Sequence, residues 1–166
     1  MARRRIVELG DSKLRKNTRS VEKFDARLHN LLDDMANTMY YADGVGLAAP
    51  QVGILRQVVV VDVGEGLIEL INPEMIYQEG EEAGAEGCLS IPGRRGLVVR
   101  PTKVIVKAQD RNGTPFTMEA EGFLARAFCH ELDHLQGRLY IDIMERELFE
   151  EDFADTEEEE ETEVDQ

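Results

Sequence analysis

The sequence contains few cysteines: its 166 residues include two, Cys88 and Cys129. Two cysteines are too few for a disulfide framework, so in a reducing compartment each is expected to be a free thiol or a metal ligand. The chain also lacks an apolar run of the roughly 18 residues typical of a membrane span, and its basic N-terminus lacks the apolar stretch of a secretory signal. These absences predict a soluble cytoplasmic protein that does not enter a membrane.

Positive charge is also scarce, and the shortage is uneven along the chain. The sequence has 34 acidic and 19 basic side chains, a net charge of -15, and residues 145–166 alone hold 13 acidic side chains and one arginine. The other residues carry 21 acidic and 18 basic side chains, without the clustered basic face of a nucleic-acid-binding protein. Because the C-terminal stretch repels itself and has little to bury, we predict one domain over residues 1–148 and an acidic, disordered tail over residues 149–166. A contact between the tail and a basic partner is the alternative.

Two helices are expected from the sequence pattern. Between residues 25 and 41, apolar residues recur every three or four positions, as on the buried face of an amphipathic helix. They are Leu28, Leu31, Leu32, Met35 and Met39. A second helix is expected over residues 122–136, with Gly137 placed to end it.

Stretches rich in β-branched residues between these helices are typical of short strands. They are "RQVVVVDV" (56–63), "GLIELIN" (66–72), "PEMIYQE" (73–79), "GLVVR" (96–100) and "KVIVKAQD" (103–110). Asn112 and Gly113 are expected to supply the left-handed backbone angles of a tight hairpin turn leading to residues 114–121. The pattern predicts an α+β fold with mainly antiparallel sheets packed around the late helix, plus an N-terminal helix.

Two histidines stand one helical turn apart in the late helix, in the stretch "FCHELDHLQG". His130 and His134 project from one face of that helix, so both imidazoles can meet a single metal ion. Glu131 lies about 100° further round the helix, where it can reach a water on the metal without joining the ligand pair. This HExxH pattern also occurs by chance, so an ordinary solvated helix is the alternative.

A catalytic metal site needs a third protein ligand and an open position. Tyr140 stands where the long metzincin motif has its third histidine, which excludes that class, and a thermolysin-like glutamate would have to come from the acidic tail. His29 lies in the early helix, where a surface or core role is expected. Cys129 directly precedes His130 and points to another side of the helix, so it is expected to be a packed thiol.

Cys88, in "EGCLSIPG", is the remaining candidate for the third ligand. Gly87 before it, with Pro92 and Gly93 after it, indicates an irregular and closely approached backbone that suits a thiolate meeting a helix edge-on. Two imidazoles and one thiolate form a soft three-ligand set with one open position. Simple burial of Cys88 is the alternative at this point.

Three short motifs together resemble those of the peptide deformylase family: "GVGLAAPQ" (44–51), "EGCLS" (86–90) and "HELDH" (130–134). Their order and separations match, and the similarity extends from about residue 6 to about residue 144. Membership implies a hydrolase that removes the N-terminal formyl group from the formylmethionine of nascent polypeptides and releases formate. It also implies a catalytic ferrous ion, Fe2+, that zinc, nickel or cobalt can replace; the ligand types alone fit several divalent ions.

The resemblance also implies a role for each matching residue. The implied metal ligands are Cys88, His130 and His134, with water in the fourth position. Glu131 would act as general base towards that water and then protonate the departing amine. The side-chain amide of Gln51 and the backbone N–H of Leu89 would stabilise the negative oxygen that forms on the formyl group, and such a donor is typically worth about 3 kcal/mol.

Substrate contacts and partners are implied in the same way. The backbone of Gly46 would lie alongside the substrate as an added strand, while Val45 and parts of the Ile91 and Phe123 region would form the apolar pocket for methionine. The expected partners are formylmethionyl peptides and nascent chains, with no DNA, no membrane and a monomeric protein. Some bacterial relatives reach the ribosome through a basic C-terminal helix; the acidic tail has the opposite sign, which argues against attraction to ribosomal RNA and leaves a basic ribosomal protein as a candidate.

Other functions stay open from the sequence alone. The same three ligands could hold a structural metal that joins the helix to the sheet, although the sequence offers no convincing fourth ligand for such a site. Another amidase or peptidase could also use the centre. Arg126, one turn before His130, fits equally well as a border of the substrate pocket or as a surface contact.

Overall fold

The computed structural model describes residues 2–153. In that range the two longest α-helices are α1 (Ala26–Tyr41) and α2 (Gly122–His134). Its strands are β1 (Gly46–Ala48), β2 (Val58–Val61), β3 (Ile68–Glu79), β4 (Glu82–Cys88), β5 (Ile91–Arg100), β6 (Lys103–Gln109), β7 (Pro115–Glu121) and β8 (Arg146–Leu148). Each pairing between these strands is antiparallel. The predicted α+β class with mainly antiparallel sheets is therefore confirmed.

Helix α1 begins where the sequence predicted a helix. The Asp25 carboxylate accepts a hydrogen bond of 3.2 Å from the backbone N–H of Leu28, which satisfies one of the free donors of the first turn. The predicted apolar stripe is buried: Leu28, Leu31, Leu32, Met35 and Met39. It packs against Val58 and Val60 of β2, so the helix covers one face of a sheet.

The larger sheet has five strands in the order β1-β2-β3-β6-β7. Side chains alternate between the faces of a strand, and in β2 Val58 and Val60 face α1 while Val59 and Val61 pack with Phe128 of α2. A strand covered on both faces has a continuous apolar run rather than an alternating pattern, which explains "RQVVVVDV". Strand β1 lies at one edge and pairs with β2 alone among the described strands.

Strand β3 corrects the prediction of two separate strands over residues 66–72 and 73–79. Asn72 adopts a positive φ of 52° in the middle of this strand, and the register with β6 shifts at that point. Its side chain accepts a 2.7 Å hydrogen bond from the N–H of Val21 and donates a 2.8 Å bond to Gln109. These bonds hold a β-bulge, so the strand bends without ending.

The hairpin between β6 and β7 is present as predicted, but its turn differs from the prediction. Gly113 has a φ of 86°, whereas Asn112 does not adopt a left-handed conformation. Five residues separate the two strands, and the Asp110 carboxylate accepts hydrogen bonds from the N–H groups of Asn112 and Thr114 at 2.9 and 3.0 Å. A side-chain acceptor therefore organises this loop in place of a two-residue left-handed turn.

The second sheet has three strands in the order β4-β5-β8. The sequence did not predict β4 or β8, and β5 extends beyond the predicted residues 96–100. Strand β4 has the sequence "EAGAEGC", which is poor in β-branched residues, so long-range pairing with β5 rather than local preference makes it a strand. A register shift after Glu86 precedes the pairing of Cys88 with Ile91, and the irregular backbone expected near Cys88 is this hairpin end.

Helix α2 contacts strands of both sheets and so lies between them. Its Phe128 is completely buried against the five-stranded sheet. The helix ends at His134, two residues before the predicted end, and Gly137 follows with a φ of 75°. The predicted central helix, flanked by sheets, is therefore confirmed.

The domain boundary predicted near residue 148 stays a prediction. Most of the predicted acidic tail, residues 149–166, lies outside the described residues, which end at Phe153. Between residues 2 and 153, no helix is both long and apolar enough to cross a membrane.

Candidate metal centre

Three side chains converge where α2 faces the end of β4. Sγ of Cys88 lies 3.4 Å from Nε2 of His134, and the Nε2 atoms of His130 and His134 are 3.2 Å apart. The ligand atoms of the group lie within 4.8 Å of one another. With metal–ligand bonds of about 2.0–2.3 Å, neighbouring donors around a tetrahedral ion are separated by about 3.3–3.6 Å. The spacing and the donor types therefore fit a transition-metal site with three protein ligands.

Each donor is placed by a different local feature. His130 and His134 occupy successive turns of α2, with ring centroids 5.0 Å apart, and both residues are buried. Cys88 ends β4 immediately after the register shift, where the chain turns back into β5. The structure thus brings together three residues that the sequence singled out from two distant stretches.

The orientation of His130 is fixed from behind by Glu86. Nδ1 of His130 donates a 2.9 Å hydrogen bond to the Glu86 carboxylate, which leaves Nε2 directed at the other two donors. Arg100 donates two hydrogen bonds to the same carboxylate, at 2.8 and 2.9 Å. Burial alone would raise the pKa of Glu86, but the hydrogen bonds from Arg100 and His130 lower the pKa to about 2. Glu86 is therefore ionised at neutral pH.

Glu131 follows His130 in the helix, and only 4% of its surface is exposed. Its Oε1 has no hydrogen-bond partner among the described residues and lies 3.9 Å from Nε2 of His134. Burial raises the pKa of Glu131 to about 7. A carboxyl group with this pKa can accept and return a proton near neutral pH, as general acid–base catalysis requires.

Strand β1 passes directly over the Glu131 carboxylate at Gly46. A side chain at this position would clash with Glu131, because even a Cβ atom there would overlap its carboxylate. Glycine is thus the residue that lets an edge strand approach the metal centre so closely. The motif "GVGLAAPQ" therefore lies beside the motif "HELDH" in the structure.

Gln51 lies in the single helical turn that follows β1, and its side chain is buried. Its Oε1 accepts a 3.0 Å hydrogen bond from the N–H of Ala48, and its Nε2 donates to Sγ of Cys88 at 3.4 Å and to Oγ of Ser90 at 3.1 Å. The backbone bond fixes which end of the amide faces the centre. Gln51 therefore directs N–H donors at the metal centre.

An open cleft of about 480 Å3 lies in front of these groups. The four residues predicted to contact substrate all line it: Val45, Gly46, Ile91 and Phe123. Val45 and Phe123 are 39% and 56% exposed, so apolar surface faces solvent at the cleft. Leu89 also lines the cleft, beside Cys88.

Other residues considered in the sequence have different environments. Cys129 is a buried free thiol, and burial raises the pKa of its thiol to about 11, as expected for a packed cysteine. Nε2 of His29 bonds the backbone oxygen of Arg111 at 2.7 Å. Arg126 is buried at the cleft wall and hydrogen-bonds Glu86, so the surface contact considered for it is wrong.

Glu86, Ser90 and Arg100 support the centre, and sequence reasoning did not identify them. The signal for Glu86 was its place in the second motif, "EGCLS", two residues before Cys88. No comparable signal existed for Arg100, because its contact with Glu86 depends on how β4 pairs with β5.

Comparison with known proteins supports the resemblance seen in the three motifs. The sequence model of a family described as polypeptide deformylase matches residues 3–149. A peptide deformylase of Caldicellulosiruptor bescii is 58% identical over 152 residues, covering 92% of each chain. One of Lachnoclostridium phytofermentans is 53% identical over 163 residues, covering 96% of this chain and 100% of the relative.

Solved structures give the same result at the level of the fold. The crystal structure of a peptide deformylase from Thermotoga maritima has a TM-score of 0.85 and 44% identity, covering 87% of this chain and 99% of that one. A peptide deformylase from Legionella pneumophila has a TM-score of 0.84 and 46% identity, covering 86% of each chain. Sequence, fold and the converging Cys–His–His side chains agree, and the chain belongs to the polypeptide deformylase family.

Proposed function

We propose that this protein hydrolyses the formamide bond at the N-terminus of formylmethionyl polypeptides and releases formate. Its membership of the polypeptide deformylase family supports this activity. The observation that carries the proposal is the convergence of two imidazoles and one sulfur beside a buried carboxylate in an open cleft.

Family membership makes the protein a metalloenzyme, and we assign Cys88, His130 and His134 as the ligands. A divalent ion held there supplies Lewis-acid polarisation and lowers the pKa of water. We propose Fe2+, following the family resemblance, with Zn2+, Ni2+ or Co2+ able to take its place. A thiolate with two imidazoles is compatible with each of these ions.

Glu131 is the proposed proton carrier. Its carboxylate would take a proton from the attacking water as the water oxygen bonds to the formyl carbon. It would then deliver that proton to the amine nitrogen as the carbon–nitrogen bond breaks. Its Oε1, which has no hydrogen-bond partner among the described residues, is free to take up the proton.

Gln51 and Leu89 are proposed to bind the formyl oxygen as it becomes negative. The Gln51 amide is already fixed by the N–H of Ala48, so little reorganisation is needed when charge develops. The backbone N–H of Leu89 is the second proposed donor. Both residues line the cleft beside Cys88.

The rest of the substrate would lie along the edge of the five-stranded sheet. Strand β1 has a neighbour on one side only among the described strands, so a peptide can add alongside Gly46 by backbone hydrogen bonds. Val45, Ile91 and Phe123 would receive the methionine side chain in the apolar part of the cleft.

The Gln51→Ala variant is expected to lower kcat for formate release about 10²- to 10³-fold with metal content unchanged, because one aligned donor to the developing oxyanion is lost. Gln78→Ala, which removes an exposed amide on β3, is the matched control and should leave kcat unchanged. Normal kcat in metal-loaded Gln51→Ala would remove Gln51 from the reaction.

Formate release from formyl-Met-Ala-Ser tests the proposed function directly. The matched substrate acetyl-Met-Ala-Ser, which is larger at the carbonyl carbon, should react far more slowly. A protein with only a structural metal would release no formate, and a peptidase would cut the internal bonds of both peptides. Either outcome would contradict the proposal.

Formylated nascent chains are the proposed partners, and we propose that the protein acts in the cytoplasm as a monomer. Attraction to ribosomal RNA through the C-terminal tail is not part of this proposal, because residues 145–166 carry 13 acidic side chains and one arginine. A basic ribosomal protein would be the electrostatically compatible partner for that stretch.

A further inference from the structure

Arg126 is a buried cation that the proposed reaction does not use. It lies in α2 one turn before His130, and 9% of the residue is exposed. Burying a charged side chain is costly unless it is paired and hydrogen-bonded. The hydrogen bonds that Arg126 makes therefore indicate its role in the structure.

The guanidinium of Arg126 joins α2 to two strands of the smaller sheet. Nη1 donates to the Glu86 carboxylate at 2.8 Å and to the backbone oxygen of Val98 at 2.9 Å, and Nη2 donates to the backbone oxygen of Glu82 at 2.8 Å. Glu82 and Glu86 belong to β4 and Val98 to β5. One side chain thus fixes the helix turn before His130 against the strand that carries Cys88.

These contacts also complete the partners of Glu86. Its Oε1 accepts from Arg100 and from Nδ1 of His130, and its Oε2 accepts from Arg100 and from Arg126. The cluster contains two cations, Arg100 and Arg126, and two anions, Glu86 and Asp133. The Asp133 carboxylate lies 2.7 Å from Arg100, and the charges of the cluster balance. Every oxygen of Glu86 has two donors, so the carboxylate has no freedom to turn away from His130.

Strand β4 leaves room for this arginine at Gly84. A Cβ atom at Gly84 would lie 2.9 Å from Nη2 and 3.0 Å from Cζ of Arg126. These separations are too short for a guanidinium that three hydrogen bonds hold in place. Glycine at this position and arginine on the facing helix therefore act as a pair.

We propose that Arg126 is a positioning residue of the metal centre: seated on Gly84, it holds Glu86 against His130 and thereby aims Nε2 of His130 at Cys88 and His134. The inference rests on the proposed function, since it concerns the same metal centre. Arg126 is not placed in contact with the substrate's formyl group or with the metal.

Metal affinity of the full chain tests this role independently of catalysis. Cobalt(II) is the probe, with its dissociation constant measured by competition with a chelator and its visible absorption spectrum recorded. Arg126→Met, which keeps the stem but removes all five donors, is expected to weaken cobalt binding about tenfold and to change the spectrum, since partners behind a metal ligand typically affect affinity about 10- to 100-fold. Arg126→Lys should recover part of that loss.

Arg111→Met is the matched control, because Arg111 also bonds two carboxylates, Glu69 and Asp33, away from the centre. It should leave cobalt affinity within about twofold of the parent. Gly84→Ala should reproduce the weaker binding of Arg126→Met while every side chain of the centre stays unchanged. Circular dichroism of each variant separates loss of fold from loss of affinity.

A double-mutant comparison distinguishes positioning through Glu86 from general stabilisation. If Arg126 acts through Glu86, then adding Arg126→Met to Glu86→Gln should weaken cobalt binding by less than about threefold further. The inference would be overturned if the affinity losses of the two substitutions multiplied in the double variant. It would also be overturned if folded Arg126→Met had the cobalt affinity and spectrum of the parent. Formate release by the parent chain is measured separately, so failure of the proposed function is a distinguishable result.

Discussion

Replacing Glu131 with glutamine is expected to lower kcat for formate release about 10²- to 10⁴-fold while the metal stays bound. Glutamine preserves the shape of the side chain but cannot accept and return a proton, and general acid–base catalysis contributes about this factor. The loss corresponds to about 3–5 kcal/mol of transition-state stabilisation. Since Glu131 is not among the proposed ligands, metal content should remain near one ion per chain.

The control for this measurement is Glu81→Gln, which makes the same change at an exposed glutamate in the turn between β3 and β4. Its kcat should equal that of the parent. Single-turnover measurements on the metal-loaded proteins separate the chemical step from product release. Parent-like kcat in Glu131→Gln with full metal content would show that another group moves the proton.

Replacing Cys88 with serine is expected to remove most of the bound metal, and formate release should fall with it to near background. A serine hydroxyl is a hard, neutral ligand, whereas the thiolate provides the soft, anionic donor of the set. Two histidines alone make an incomplete site, so affinity for iron, cobalt or zinc should drop together. Metal analysis of protein purified without oxygen measures the effect on the native ion.

The chain provides its own control for this change in Cys129→Ser. Cys129 lies one residue from His130 but packs into the core of the five-stranded sheet. This variant loses packing and leaves the ligand set intact, so metal content should be retained even if the protein is less stable. The proposed ligand set would be contradicted if Cys88→Ser retained metal content and activity. It would also be contradicted if folded Cys129→Ser lost them.

The parts of the fold that follow from local periodicity could be predicted from the sequence. The stripe of leucines and methionines in α1 and the four valines of β2 signal their structure directly, because their spacing reflects burial. Strand β4 could not be predicted, since its glycines, alanines and glutamates have no strand preference without β5 beside them. The bulge at Asn72 could not be predicted for a similar reason, because the hydrogen bonds that hold it involve residues distant in sequence, Val21 and Gln109.

The residues of the candidate site also fall into those that the sequence could predict and those that it could not. Cys88, His130 and His134 lie in short motifs whose residue types and spacing indicate a metal site. The groups behind them, Arg100 and Arg126, carry no such signal, because an arginine in a sequence is most often solvated and its partner depends on tertiary packing. Their contribution became visible only when the two strands and the helix were assembled around Glu86.

The pairing of β8 with β5 determines how far the chain can be shortened from its C-terminal end. Glu147 of β8 receives two hydrogen bonds from Arg94 at the cleft wall, at 2.8 and 3.0 Å. Truncation before Arg146 would strip one strand from the sheet that holds Cys88 and release this arginine. Truncation after Phe153 would keep all the strand pairings of that sheet among the described residues, and it would remove eight of the negative charges.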